Sequence, residues 1–386
     1  MAKRPVGSRP LGKAVSGAWY EPTPGLGSRL LLACMAPASW AYDAATALRG
    51  RAYDRGLLRV VKAPIPVVSV GNLVVGGAGK TPVVMELARR LGSMGHKVAV
   101  VSRGYGADTR AQRMVSDGER ILLPSSEAGD EPHLVARRCP GVAVFAGPNR
   151  ADLVFRAAGE LGCSVAILDD GMQHRSLHRH LEVVVVDASS PVGNGRLLPR
   201  GPMRERSACL ARAHLVWLTR VDETTERPFE VSTYLDGMLA RAGCPVVRSR
   251  YEIERITELS GREVGGPSHL SGRKVLALSG IARPRSFHEL LAKAGARIVA
   301  VRALPDHHPF TAEEIAEAKE EAASQDAMVV TTEKDAGRID PGQTEILVLR
   351  LRCTVIEGAE EIDKLLGGLP REPASGVSSD SSTRSA

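Results

Sequence analysis

Residues 66–94 place a short β-branched stretch, PVVSV (66–70), ahead of Gly71-Asn72-Leu73-Val74-Val75-Gly76-Gly77-Ala78-Gly79-Lys80-Thr81-Pro82 and a helical stretch to Met94. Strand, glycine-rich turn, Lys-Thr, helix is the context of a phosphate-binding loop. Glycines let backbone amides approach phosphate oxygens closely, and the following helix N-terminus adds positive potential. In that role Lys80 reaches the β- and γ-phosphates and Thr81 offers a hydroxyl to Mg²⁺. The strict pattern has Gly where this chain has Val74, while Gly76, Gly77 and Gly79 keep the permissive core. A dinucleotide-binding turn would not need Lys80-Thr81. The loop from Gly76 through Ala78 to Pro82 is expected to hold a nucleoside triphosphate.

Around this loop, short apolar runs alternate with helical stretches. Strands are expected at 97–101, 142–145, 164–168, 182–187 and 214–219. Such alternation implies α/β architecture: a P-loop NTPase-type parallel sheet flanked by helices. Residues 225–272 read as irregular. Alternation resumes at 274–279, with helices near 286–294 and 312–323 and strands at 297–300, 327–331 and 345–349. The division expected is a basic N-terminal segment (1–62), a P-loop core (63–230), a smaller C-terminal α/β domain (231–371) and a Ser-rich disordered tail (372–386).

Charge is distributed unevenly along the 386 residues. Of 51 Lys+Arg and 44 Asp+Glu, residues 1–62 hold ten basic and three acidic side chains, so the remainder is neutral. A broad basic face on the body, of the kind that binds nucleic acid, is not expected, whereas a basic arm at an anionic surface is. Within that arm, LLLACMAPASWAY (30–42) is too short to span a bilayer. With Trp40, Tyr42 and flanking Arg29, Arg49, Arg51 and Arg55 it reads as a helix lying in a membrane interface, or equally as a helix packed on the body. Six cysteines at least 24 residues apart show no zinc or disulfide spacing, in keeping with reduced cytoplasmic thiols.

A P-loop needs a carboxylate at the end of another strand to hold Mg²⁺. SVAILDDG (164–171) supplies Asp169 and Asp170 there, a pair more metal-like than a lone helix cap. Asp187, closing another apolar strand, is a weaker rival. Asp130 in GDEP (129–132) reads either as a helix cap or as a functional carboxylate. PDHH (305–308) reads either as an oriented Asp-His pair or as a solvated loop.

Taken together, VSVGNLVVGGAGKTP (68–82), SRGYG (102–106), AGDEP (128–132), LDDGMQHR (168–175), GNGRLLPRGPMRE (193–205), LSGIARPRSF (278–287), PDHHPF (305–310) and TTEKDAGR (331–338) resemble the tetraacyldisaccharide 4′-kinase family. The segments fall in the family's order over about residues 28–350. The departures are Met172 for the usual Phe, Phe310 for a common Tyr, and Arg200 where a small residue is common. The resemblance implies transfer of the ATP γ-phosphate to the 4′-hydroxyl of an acylated glucosamine disaccharide 1-phosphate, forming lipid IVA. It also implies a monotopic enzyme on the cytoplasmic face of the bacterial inner membrane, with an N-terminal helix in the bilayer; the basic arm points to an anionic membrane surface, and no obligate protein partner is evident. By the same resemblance Lys80 and Thr81 are the P-loop pair, and Asp169 and Asp170 are the Mg²⁺ carboxylates. Asp130 is implied as the base, His307 as its partner, Arg204 and Glu205 as a loop at metal and substrate, and Tyr105 as a neighbour of the nucleotide.

Two other classes fit the residues less well. A P-loop switch driving a protein partner would not need PDHH and TEKD on an appended α/β unit. A nucleic-acid NTPase is disfavoured by the neutral body and by aromatics at only 4%.

Overall fold

The computed structural model describes residues 15, 17–21, 25–104, 111–224, 229–340 and 342–370. Tyr105 and the Ser-rich tail lie outside them. Two helices come first, α1 (Leu26–Cys34) and α2 (Ala36–Asp54), with Pro37 in the first turn of α2. Pro37 therefore starts the longer helix, where its missing N–H costs nothing.

The β-branched runs become strands whose alternate residues feed two cores. In β1 (Val67–Asn72), Val68 and Val70 join one buried cluster while neighbouring Val67 joins another on the opposite face. The first cluster is closed by α3 (Lys80–Ser93), through Val83, Val84, Leu87 and Leu91. Next come β2 (Val98–Ser102), β3 (Arg113–Ser116), the single turn α4 (Ser125–Ala128), α5 (Asp130–Arg138) and β4 (Ala143–Ala146). The second cluster is closed by α6 (Arg150–Leu161), which supplies Leu153, Val154 and Ala157. After β5 (Val165–Asp169), β6 (Leu181–Asp187) and β7 (Leu215–Thr219) the chain enters α7 (Phe229–Ala242). Every residue of β1, β5, β6 and β7 is buried, as a sheet covered on both faces requires.

The stretch expected to be irregular contains β8 (Val246–Glu258), thirteen residues long, and β9 (Glu263–Gly265). Its alternation was masked because the outward positions are Arg248, Arg250, Glu252 and Glu254. The inward ones, Val247, Ser249 and Tyr251, are buried. The rest of the chain comprises β10 (Lys274–Ser279), α8 (Pro284–Lys293), β11 (Arg297–Ala303), α9 (Ala312–Ser324), β12 (Met328–Thr332), the short α10 (Glu333–Ala336), β13 (Ile346–Glu357) and α11 (Ala359–Gly367).

Among the described residues all thirteen strands form one sheet, ordered β11-β10-β12-β13-β8-β7-β6-β1-β5-β2-β4-β3, with β9 on β8. Two blocks of parallel strands meet where β8 and β13 pair antiparallel from Arg248↔Glu357 to Glu258↔Leu347. In the first block β1 lies between β5 and β6, so the phosphate loop and Asp169–Asp170 emerge side by side at the carboxyl edge. Ligands of open α/β sheets bind at that edge.

Candidate active site

The loop after β1 closes on Gly79, in left-handed conformation at φ +79°. A β-carbon there would sit 1.8 Å from the Tyr251 hydroxyl, so both the backbone angle and the space demand glycine. Tyr251, in β8, donates to the Gly79 carbonyl at 3.0 Å, and Thr219 at the end of β7 donates to that of Ala78 at 3.1 Å. Gly76, Gly77, Ala78 and Gly79 thus form a turn pinned from two neighbouring strands, with Lys80, Thr81 and Pro82 opening α3.

Lys80 reaches back over this turn. Its ammonium lies 3.1 Å from Asp170 and donates to Asn72 Oδ1 at 3.0 Å, while Asn72 donates to the Val74 carbonyl at 2.7 Å. Asp170 is also gripped by Arg204, whose Nη1 lies 2.8 Å from both carboxylate oxygens. Burial works against its charge, but Lys80 and Arg204 outweigh burial and hold the Asp170 carboxyl well below the usual carboxylate range. Asp169 behaves oppositely. Burial, reinforced by Glu131 and Asp170 and opposed by Lys80, pushes its carboxyl up to about 7. Its Oδ1 is buried without a hydrogen-bond partner. An orphaned carboxylate oxygen beside a phosphate loop suits a divalent cation, because a 2+ charge reverses the cost of burying it. Among the described residues no three His, Cys, Asp or Glu side chains converge on one point. A hard cation shared with phosphates needs only one or two protein carboxylates, so the donor set fits Mg²⁺.

Glu205 adjoins Arg204 but rests on Gln173 at 3.2 Å and Arg212 at 2.7 Å. Asp187 is committed elsewhere, to Arg220, Arg283 and Ser189.

A second cluster gathers from distant parts of the chain. Asp130 opens α5, and its Oδ2 lies 2.8 Å from Nδ1 of His307, which follows β11. His307 is held at φ +60°, a conformation uncommon outside glycine. Lys334 in α10 places its ammonium 3.4 Å from His307 Nε2, and also approaches Asp306 at 3.5 Å and Glu131 at 3.7 Å. An ammonium only donates, so Nε2 accepts and Nδ1–H donates to Asp130. Arg338 adds its Nε at 3.2 Å from the same Asp130 oxygen. Burial would raise the Asp130 pKa, but the His307 hydrogen bond and the Arg338 and Lys334 charges prevail and lower it. Arg338 is itself fixed by Asp335, which accepts from the Gly280 N–H and from Thr332. Glu131, next to Asp130, contributes to the field at Asp169 and approaches Lys334, so the two clusters adjoin.

The sequence reading named Asp130, His307, Lys80, Asp169 and Asp170, and the structure brings them into these two adjoining clusters. It did not assign Lys334, Arg338, Asn72 or Tyr251. The first three lie inside quoted motifs and could have been marked as fixed cations and an amide facing a phosphate site. Tyr251 had no local signal. His174, inside LDDGMQHR, is a further residue without an assigned role. Burial, then the nearby Arg150, Arg179, Arg49 and Arg103, push it down to about 4, leaving a neutral imidazole among cations. Of the three departures, Met172 is fully buried against Gly71, Phe310 packs edge-on to His308 and under Arg338, and Arg200 lines a small pocket with Trp40, Arg196 and Arg206.

Comparison with known proteins places this geometry in a family. The model of the tetraacyldisaccharide-1-P 4′-kinase family matches residues 31–368. A tetraacyldisaccharide 4′-kinase of Anaeromyxobacter dehalogenans (strain 2CP-C) is 48% identical over 356 residues, covering 90% of this chain and 93% of the relative. One from Chlorobaculum parvum is 37% identical over 353 residues, covering 88% and 96%. The crystal structure of LpxK from Aquifex aeolicus in complex with ATP superposes with a TM-score of 0.72 at 31% identity, covering 87% of this chain and 98% of that one. The chain therefore belongs to the tetraacyldisaccharide-1-P 4′-kinase family.

Proposed function

We propose that this kinase transfers the γ-phosphate of ATP to the 4′-hydroxyl of a tetraacylated glucosamine disaccharide 1-phosphate, forming lipid IVA in lipid A biosynthesis. The observation that carries the reading is an ionised carboxylate–imidazole pair, Asp130–His307, adjoining a phosphate loop and its strand-end carboxylates, with Glu131 next to Asp130 acting on Asp169. A switch NTPase needs the loop but has no use for a base aimed at an acceptor hydroxyl.

In this reading Lys80 leaves Asp170 for the β- and γ-phosphates, while Arg204 keeps Asp170 ionised. Thr81, Asp169 and Asp170 would hold Mg²⁺, with Glu205 a further member of the set. The ion, when bound, neutralises charge on the triphosphate. Tyr105, outside the described residues, is assigned beside the nucleotide. Asp130 accepts the proton of the 4′-hydroxyl as its oxygen bonds to the γ-phosphorus and the bond from that phosphorus to the bridging oxygen of the leaving ADP breaks, and His307 orients that carboxylate by donating from Nδ1. Lys334 holds His307 in the required tautomer. Positioning and charge stabilisation dominate phosphoryl transfer, and these residues supply both. Asp130 and His307 come from the two parallel blocks; we assign residues 63–230 to a core and 231–371 to a smaller unit, of which α7 and β8 pack on the core. Closure of one on the other would complete the site and exclude water.

We assign α1 and α2 to a membrane surface. No described helix is long and apolar enough to cross a membrane, yet Leu26, Leu30, Trp40 and Leu48 are each more than half exposed. Basic residues flank the pair, which suits anionic lipid, and an ATP requirement suits the cytoplasmic face. The test is incubation of the purified protein with radiolabelled ATP, Mg²⁺ and the lipid disaccharide acceptor in detergent. Label on the lipid is expected. ATP turnover without labelled lipid would overturn the acceptor assignment.

A further inference from the structure

An open groove of about 1170 Å³ lies between α3, the end of α5 and the β8–β13 ribbon. It runs along α3 from Pro82 to Ser93, and Val98 and Val142, at the amino ends of β2 and β4, form part of its wall. Among the described residues seven arginines and two glutamates line it. The chain beyond residue 62 has no net charge, so this concentration is made by folding.

Five of the arginines have close carboxylate partners, at 2.5–2.9 Å. Arg89 and Arg90 share Glu86, Arg138 lies between Glu254 and Glu333, Arg255 pairs with Glu254 and Glu263, and Arg352 pairs with Glu252. The remaining two do not fit that pattern. Arg137 makes no side-chain hydrogen bond or ion pair among the described residues. Arg350 has one ion pair, its buried Nε lying 3.3 Å from Glu333 without hydrogen-bond geometry, and it shares that carboxylate with Arg138. Burial, with Arg138, Arg137 and Arg255 adding repulsion and Glu333 opposing them, lowers the Arg350 pKa. Two under-compensated guanidinium forks beside further cations suit an anion that carries several oxygens.

We propose that this groove is a second anion site, binding a small soluble phosphate-bearing anion of two or more charges through Arg137 and Arg350. Among the described residues no Phe, Tyr or Trp lines the groove, so bases have nothing to stack on and a nucleic acid is a poor occupant. No residue of α1 or α2 lines it either, which separates it from the apolar surface assigned to lipid. Occupancy also reaches the active site. Arg137 and Arg138 end the helix that Asp130 begins, and Glu333, shared by Arg138 and Arg350, immediately precedes Lys334. An anion drawing Arg350 from Glu333 changes the link between α5 and α10, the elements that present Asp130 and Lys334.

Inorganic pyrophosphate is a suitable probe, titrated calorimetrically into the full chain with the phosphate loop saturated by a non-hydrolysable ATP analogue. A single remaining site is expected. Arg137→Gln, which breaks no ion pair, should weaken it about tenfold or more, and Arg350→Gln should do the same. Unchanged binding of the ATP analogue shows that each variant is folded. No pyrophosphate uptake by the saturated wild-type chain, or uptake by both variants as tight as that of the wild type, would overturn the proposal. Binding to phosphatidylglycerol vesicles should be the same for wild type and Arg137→Gln. A loss in the variant would place a lipid headgroup in the groove and defeat the soluble-anion assignment.

Discussion

At the scale of single residues, the site separates its carboxylates by environment. Asp170 has two cationic partners and stays ionised, Asp169 is buried with a bare oxygen, and Asp130 is kept ionised by an imidazole and two cations. Removing the base while keeping its shape, as in Asp130→Asn, should lower kcat by about 10²- to 10⁴-fold with ATP affinity kept, as single-turnover labelling and nucleotide titration would measure. The direction of the Asp130 shift gives a pH prediction. A lowered folded pKa means that its ionised form persists below the usual carboxylate range, and the stability it contributes is lost only as pH falls through that lower value. Its hydrogen bond to His307 is the leading cause of the lowering, so His307→Ala should move the acid limb of the kcat/KM profile to higher pH. A limb that stays in place would show that His307 does not act on Asp130.

At the scale of elements, two features govern the site. The first is the phosphate loop, whose backbone is held by side chains from β7 and β8. Tyr251→Phe removes the donor to the Gly79 carbonyl and should cost about 0.5–1.5 kcal/mol, seen as a lower Tm and weaker ATP binding. Gly79→Ala should be worse, since it adds strain of about 1–3 kcal/mol to a clash with Tyr251. The second is α2, which is polar toward the body and apolar toward solvent. Ser39 donates to the Leu197 carbonyl, Tyr42 to that of Arg204 and Arg49 to that of Gln173, while Trp40 and Leu48 stay exposed. Each large apolar side chain moved into lipid is worth roughly 1.5–3 kcal/mol. Trp40→Ser with Leu48→Ser should therefore reduce vesicle partition at least tenfold while leaving ATP affinity unchanged, by sedimentation and nucleotide titration. Equal partition would leave α2 as an ordinary packed helix. Because Tyr42 grips the backbone of Arg204, α2 also ties the apolar surface to the residue holding Asp170.

At the scale of the whole molecule, the two parallel blocks are joined through β8 and β13 and by few other charged contacts as direct as Arg138. That side chain links the end of α5 to Glu254 in β8 and Glu333 in α10, each at 2.5 Å. Burial raises the Glu333 pKa, with Arg138 the leading opposing charge, so Glu333 depends on its partner. Breaking such a pair from one side should cost about 3–5 kcal/mol, so Arg138→Ala should lower the urea midpoint markedly. It should also lower kcat more than it raises KM for ATP, because it loosens α5 while leaving the phosphate loop intact.

What could be read from the residues was whatever short-range physics specifies. A β-branched run, a glycine-rich turn and Lys80-Thr81 need only neighbours along the chain to declare a phosphate loop, and a strand ending in Asp169-Asp170 is equally local. The motif series was enough to indicate the family and, through it, Asp130 and His307. The alternation of β8 was hidden because its solvent face is charged. The last helix and β3 also went unmarked, being short and amphipathic rather than apolar. The contact between Asp130 and His307 spans 177 residues and exists only once β11 and α5 are placed by one sheet. The orphaned oxygen of Asp169, the tautomer set by Lys334 and the arginine groove are likewise tertiary facts. Sequence sums charge along the chain, and a neutral total says nothing of where folding gathers the cations. Thus the sequence by itself determined the nucleotide loop and the kind of chemistry, while the tertiary structure decided which charges meet, because burial and distance set their energies.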